Sequence, residues 1–257
     1  MDESEKQVKK RLDQEIVSRA LASSRAMAQA LILEGKVRVS GQVERKASRS
    51  VDETTEIEIE APPRFVSRGG EKLEGAFALW GAGEGALLDV TGKVCIDVGS
   101  STGGFTDCLL QHGAARVMAV DVGTNQLAYK LRVDPRVWVK ENFNARYMTS
   151  SDLPDVPEVA VTDVSFISLK LILPPIVDVL APGGLIVALI KPQFEVGRGN
   201  APGGLVRDEA LRNEAKDSVV DFAVSNLGLE LIALAQSPIK GKEMGNIEFL
   251  SFWRKSK

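Results

Sequence analysis

Residues 185–195 read LIVALIKPQFE, an unbroken apolar run of strand-forming residues that ends in Lys191 and is stopped by Pro192. A solvated surface charge needs no such position. A group displayed at the carboxyl edge of a parallel sheet does, because open α/β folds bind their ligands there. Three other apolar runs end the same way, at Asp97, Asp121 and Asp163. Amines and carboxylates gathered at one edge can move protons or hold a cationic ligand. His112 is the only histidine, which excludes Ser-His-Asp catalysis, and no metal site is expected. The chemistry has to rest on Lys, Asp, Glu and backbone groups.

The loop after the first of these runs, VCIDVGSSTGGFTDCLL, sets Asp97 and Val98 at a strand end, Gly99 and Ser100 at a tight turn, and Gly103-Gly104 where a helix begins and backbone must pass close to a ligand. The nicotinamide fingerprint G-x-G-x-x-G does not occur. An acidic residue before the turn would repel a pyrophosphate but suits a cationic amino-acid sulfonium, so the expected cofactor is S-adenosylmethionine. The second run ends in Asp121-Val122, with Asp121 24 residues after Asp97, near the spacing of about 20 at which an acid meets ribose hydroxyls in such folds. KENFNARY would bring Asn142 or Asn144 near the adenine. In TDVSF, Asp163 stands where amino-methylating enzymes of this class carry a proline-rich clamp, and a carboxylate there suggests work on a hydroxyl.

The elements that must position these residues follow from periodicity. Strands are expected at 94–98, 116–121, 137–140, 159–163, 185–190 and 229–235, helices from Gly104, from about Asn125, at 174–180 and at 206–227, and a final hairpin strand at 247–253. This alternation implies an α/β, Rossmann-like, doubly wound, mostly parallel sheet with an antiparallel edge strand. The chain has 257 residues, 44% of them hydrophobic, which is enough for one full core and a small appendage. A linker at 61–70, APPRFVSRGG, divides an expected small domain at 1–60 from a larger one at 71–257. The charged start MDESEKQVKKR is not signal-like, and no apolar stretch approaches the roughly 20 residues that span a bilayer. Cys95 and Cys108 lie in apolar surroundings and are expected to be reduced thiols, so a cytoplasmic protein without membrane partners is expected.

Although the net charge is −3, Lys6 to Arg49 holds eleven Lys and Arg against four acids, a local balance of +7. A basic patch of that density suits a nucleic-acid binder. Two amphipathic helices are expected, one through Leu12, Ile16 and Ala20 and one from Ser23 or Ser24 to Leu33, followed by a short alternating strand and a glycine turn in EGKVRVSGQ. RLD at 11–13, Ser24-Arg25 and Leu31 to Gly41 resemble the α+β RNA-binding domain of ribosomal protein S4 and many pseudouridine synthases. That resemblance implies that Arg11, Arg25, Lys36 and Arg38 face structured RNA through its backbone and shape.

Across nearly the whole chain, RFVSRGGEKL, DVGSSTGGFTD, TDVSFISL, LIKPQFE, GGLVRD and GNIEFL resemble the TlyA family, the hemolysin-like ribosomal RNA 2′-O-methyltransferases with an FtsJ-like, class I S-adenosylmethionine-dependent domain. The resemblance implies a catalytic Lys-Asp-Lys-Glu tetrad on Lys72, Asp163, Lys191 and Glu248, an RNA contact at Arg68, and cytidine in rRNA as acceptor. A 2′-hydroxyl must give up its proton as its oxygen attacks in line. Lys72 as a neighbouring cation would favour the neutral Lys191 amine that a base needs, while Asp163 and Glu248 would orient the amines and the hydroxyl but oppose that shift. Ribosomal subunits are the expected partners, and a monomer is expected. The competing expectations are a non-catalytic ribosome assembly factor and a membrane-active hemolysin.

Overall fold

The computed structural model describes residues 9–61, 63–83, 85–197, 199–241 and 244–257. The chain divides into two compact units, Met1–Pro63 and Arg64–Lys257.

The first unit runs β1 (Lys10–Arg11), α1 (Leu12–Ser18), α2 (Arg25–Leu33), β2 (Val37–Val39), β3 (Gln42–Val43), β4 (Ser50–Val51) and β5 (Ile57–Ile59). β1 pairs with β4, and β2 is flanked by β3 and β5, all antiparallel. Leu12, Ile16, Ala28, Ile32, Val37, Val39 and Val51 form its core. α1 stops at Ser18, short of Ala20, because Ala20 turns left-handed (φ 57°) and the Leu21 N–H closes back on the Ile16 carbonyl at 3.0 Å. Ser24 is the N-cap of α2, its Oγ accepting from the Met27 N–H at 3.2 Å.

The second unit runs α3 (Gly69–Trp80), β6 (Val94–Val98), α4 (Gly104–Gln111), β7 (Arg116–Val120), α5 (Tyr129–Arg132), β8 (Val137–Lys140), β9 (Val159–Thr162), α6 (Leu173–Val179), β10 (Leu185–Ile190), α7 (Pro192–Glu195), α8 (Glu209–Leu227), β11 (Glu230–Gln236) and β12 (Phe249–Arg254). These strands form one seven-stranded sheet in the order β11-β12-β10-β9-β6-β7-β8, parallel except for β12, which is antiparallel to both neighbours. Alternate side chains enter two cores, Cys95, Val117, Val159 and Val187 on the face covered by α3 and α4, and Ile96, Met118, Ala160 and Ile186 on the face covered by α6 and α8. The chain steps outward from β6 to β7 and β8, then returns to β9 on the other side of β6. The gap between the ends of β6 and β9 is thus the switch point at which such sheets bind ligands.

Two expectations need correction. The segment 64–70 belongs to the larger unit rather than to a connector: Phe65 is buried in its core, and the Phe65 ring fills the space where a side chain on Gly70 would stand. The helix expected from about Asn125 is only the single turn α5, because Asn125 itself is left-handed (φ 56°) and breaks the helical path. Among the described residues, no helix is long and apolar enough to cross a membrane.

Candidate active site

Each of the four tetrad residues reaches the carboxyl edge for a topological reason. Asp163 directly follows β9, and Lys191 follows β10, where it caps α7 with Pro192 at its first position. Because β12 runs antiparallel, its beginning lies at that same edge: Phe249 pairs with Ile190, so Glu248 stands opposite Lys191. Lys72 comes from the first turn of α3.

The side chains form a continuous chain of ion pairs. Glu248 Oε2 is 2.7 Å from Lys72 Nζ, which is 3.3 Å from Asp163 Oδ2. Asp163 Oδ1 is 2.6 Å from Lys191 Nζ, which also donates to Ser165 Oγ at 2.8 Å. Lys72, Lys191 and Glu248 are buried and Asp163 is nearly so. All four line one cavity of about 850 Å³. Two cations alternating with two anions satisfy one another's charge, and they hold Lys191 and Ser165, which both line the cavity, in a fixed frame.

The loop after β6 supplies another wall, through Gly99, Ser100, Ser101, Thr102 and Gly104. Gly99 is left-handed (φ 84°) and packs against Val164, where a side chain would collide with Cγ1 at 2.8 Å. The room left by the next two glycines is taken by the protein rather than held open for a ligand. A methyl on Gly103 would strike Leu127 and Leu131, and one on Gly104 would strike Ser67 and the backbone of Gly69 and Gly70, where α4 packs on α3.

Asp97 does not line the cavity; it is fully buried beneath the loop. Its Oδ2 accepts from the Thr106 N–H at 2.9 Å and the Thr106 hydroxyl at 2.6 Å, pinning the start of α4, while Oδ1 has no partner among the described residues. Burial pushes this carboxyl up to about 7 against the two Thr106 bonds, with the negative charges of Asp163 and Asp121 adding to the rise. Asp121 accepts from the Ser101 N–H and the Gly123 N–H, both at 2.7 Å, so it sits behind the cavity-lining Ser101. The negative charges of Asp163 and Asp121 near the buried Asp97 and the glycine loop make a setting in which a cation is stabilising, and a sulfonium ligand fits that charge. Val122 is 71% exposed and Asn142 is exposed with φ 53°, and neither lines the cavity. Asn144 caps a short 3₁₀ turn through the Arg146 N–H.

Two aromatic rings escaped the sequence reading. Phe166 is 84% exposed and left-handed (φ 65°) at the cavity wall, with Phe194 5.2 Å away at 50°. A non-glycine residue held there is strained, and such strain concentrates at functional sites. The visible signal was an aromatic residue placed just beyond the strand end in TDVSF.

In the first unit, Arg11 and Arg25 share one fully buried carboxylate. Arg11 donates Nε and Nη2 to Asp13 at 3.0 and 3.2 Å, Arg25 donates Nε at 2.9 Å, and Gln29 adds a fourth bond at 2.7 Å. Both guanidiniums remain about half exposed. Lys36 pairs with Glu34 at 2.6 Å, and Arg38 donates to the Gly41 carbonyl at 3.2 Å. Arg68, in the second unit, lines the cavity and donates to the Lys240 carbonyl at 3.3 Å.

Comparison with known proteins agrees with this architecture. Residues 65–255 match the FtsJ-like methyltransferase family, and residues 10–57 match the S4 domain. The chain is 44% identical to hemolysin A of Brachyspira hyodysenteriae, over 94% of this chain and 98% of that protein. It is 42% identical to the 16S/23S rRNA (cytidine-2′-O)-methyltransferase TlyA of Mycobacterium tuberculosis, over 95% and 89%. A Lactococcus lactis crystal structure described as a hemolysin is 47% identical, with a TM-score of 0.71 over 76% of this chain and 90% of that one. With both units matched and these identities holding over nearly the full length of the curated relatives, the chain belongs to the TlyA family, in which an S4 domain precedes an FtsJ-like methyltransferase domain.

Proposed function

We propose that the protein is an S-adenosylmethionine-dependent 2′-O-methyltransferase that acts on cytidine in ribosomal RNA, as a monomeric cytoplasmic enzyme on ribosomal subunits. The observation that carries the reading is the ion-pair chain Glu248–Lys72–Asp163–Lys191 on one cavity with the loop 99–102. The acceptor is taken from the name of the Mycobacterium tuberculosis relative.

Gly99, Ser100, Ser101 and Thr102 would hold the cofactor, with Asp97 fixing the loop from below and Asp121 from behind. When bound, S-adenosylmethionine supplies a methyl group made electrophilic by its sulfonium. The protein's part is to orient a ribose hydroxyl and remove its proton. Lys191 Nζ would accept that proton once its own extra proton has passed to solvent, because as the cation paired with Asp163 it has no free lone pair. Asp163 bridges both lysines, so it fixes Lys191, and Glu248 holds Lys72 in the same frame. Removing one member therefore displaces the others, which makes their effects on rate non-additive. In the first unit, Arg11, Arg25, Lys36 and Arg38 would meet RNA phosphates, and in the second Arg68 would do so at the cavity.

The test is transfer of labelled methyl from S-adenosylmethionine to purified unmodified ribosomal subunits, followed by nuclease digestion and nucleoside analysis. A 2′-O-methylated cytidine is expected from wild type and none from Lys191→Ala, with cofactor binding retained. Full activity in Lys191→Ala would remove it as the base. No transfer to subunits or intact ribosomes, with cofactor bound, would favour a non-catalytic assembly factor.

A further inference from the structure

Outside this cavity, the fold brings together a carboxylate, a thiol and the only imidazole. Cys108 and His112 stand four residues apart on α4 and its C-terminal cap, so they share a face. Glu74 meets them from α3, two residues beyond Lys72. One donor atom from each lies within 4.8 Å of the other two. Glu74 Oε2 is 2.7 Å from His112 Nε2 and 3.8 Å from Cys108 Sγ.

The arrangement is braced as well as close. Glu74 Oε1 is taken by Arg64 Nη1 at 2.6 Å, which leaves Oε2 as the oxygen turned to the thiol and the imidazole. The imidazole lies flat on Phe77, centroids 3.7 Å apart and planes 8° from parallel, which fixes its orientation. Cys108 is buried, while Glu74 and His112 keep 28% of their side-chain surface exposed, so the cluster is open to solvent on one side.

We propose that Glu74, Cys108 and His112 form a three-ligand binding site for a divalent cation of the zinc class. A glutamate–histidine ion pair explains two of the groups, but not a thiol on the same focus. Mixed S, N and O donors suit a borderline-soft cation, three protein ligands with a fourth position open are a known zinc arrangement, and hard cations such as magnesium and calcium select oxygen alone. Bonds of about 2.0–2.3 Å set tetrahedral donor atoms about 3.5 Å apart, so binding requires Oε2 and Nε2 to spread from 2.7 Å and Sγ to move in slightly from 3.8 Å. As the metal–sulfur bond forms, the S–H bond breaks and its proton passes to solvent. His112 Nε2 gives up the proton it shares with Glu74, to solvent or to Nδ1 where that nitrogen is bare, and coordinates through the freed lone pair while Nδ1 keeps a proton. Because the thiol must lose its proton to bind, affinity rises with pH. The site ties α3, which carries Lys72, to α4, which opens at the loop 99–104. The expectation of no metal rested on the lone histidine, and folding supplies the partners that sequence spacing hid.

The test is titration of the full-length, chelator-stripped protein with cobalt chloride, followed by displacement with zinc chloride. One cobalt per chain is expected, with a thiolate-to-cobalt charge-transfer absorption that zinc abolishes. Cys108→Ser should remove the band, while His112→Gln and the milder Glu74→Gln should each weaken cobalt binding at least tenfold. Cys95→Ser, on β6 rather than α4, should leave it unchanged. Absence of the charge-transfer band in wild type, or its persistence in Cys108→Ser, would overturn the proposal. Methyl transfer is not the readout, so failure here leaves the assignment of the cavity untouched.

Discussion

Replacing Asp97 with asparagine should stabilise this protein at neutral and alkaline pH. The native carboxyl holds its proton up to about pH 7, mainly because it is buried, whereas an ordinary aspartate releases it near 3.8. Between those values the native state binds more protons than the unfolded chain. The stability this group contributes is therefore complete below pH 3.8, falls as pH rises and is lost above about 7. At 1.36 kcal/mol per pH unit, the full loss is about 4 kcal/mol, of which about 3 falls between pH 5 and 8. An asparagine is a neutral isostere whose amide oxygen can accept both Thr106 bonds, and its N–H group would lack a partner much as the protonated Oδ1 does. The variant thus escapes the pH-dependent loss. Urea unfolding followed by tryptophan fluorescence at pH 5 and 8 measures it. The gap between variant and wild type should widen by about 3 kcal/mol, or more than about 1 M in midpoint at a slope near 2 kcal/mol/M. A gap that stays constant with pH, or a variant no more stable than wild type at pH 8, would refute the account of Asp97. The same substitution should weaken S-adenosylmethionine binding by calorimetry, because it removes the anion that a bound cation would favour.

Gly104→Ala places a methyl 2.7 Å from the Gly70 nitrogen and 3.1 Å from the Gly69 Cα, so α3 and α4 must part, at about 1–3 kcal/mol in thermal unfolding. Phe166→Ala should leave stability nearly unchanged, since the ring is 84% exposed, but weaken the Michaelis constant for subunits by roughly tenfold to a hundredfold if the ring stacks on a base worth about 1–3 kcal/mol. Asp13→Asn unfastens Arg11 and Arg25 and should lower rRNA affinity about tenfold in filter binding, with Arg25→Gln costing less when added to it than when made alone.

How much was legible depended on whether a signal was local. Lys191 and Asp163 ended apolar runs, so strand periodicity alone put them at a ligand-binding edge. Glu248 precedes a strand, and its arrival at the same edge follows only from β12 running antiparallel. Lys72, in the first turn of α3, carried no signal of its own beyond the family motif. Gly103 and Gly104 were read as points where backbone passes close to a ligand, but the groups packed against them are Leu127, Leu131 and α3, which no local pattern reveals. Asp97 was read as facing the ligand, yet burial and Thr106 turn it into the anchor of α4. Glu74 lies 38 residues from His112, so their meeting depends wholly on how α3 and α4 pack.

The antiparallel β12 has a consequence for how the protein is made. During synthesis, domains emerge and fold in order from the amino end, and the first unit needs nothing beyond its own residues to close its core. The ion-pair chain joins Lys72 to Glu248, which leaves the ribosome nearly a whole domain later. Until β12 inserts between β10 and β11, those strands lack their shared partner and Lys72 lacks one of its two carboxylates. The first unit can therefore be folded while the ion-pair chain is still incomplete, and on the proposed function a newly made chain would grip RNA before it could modify it.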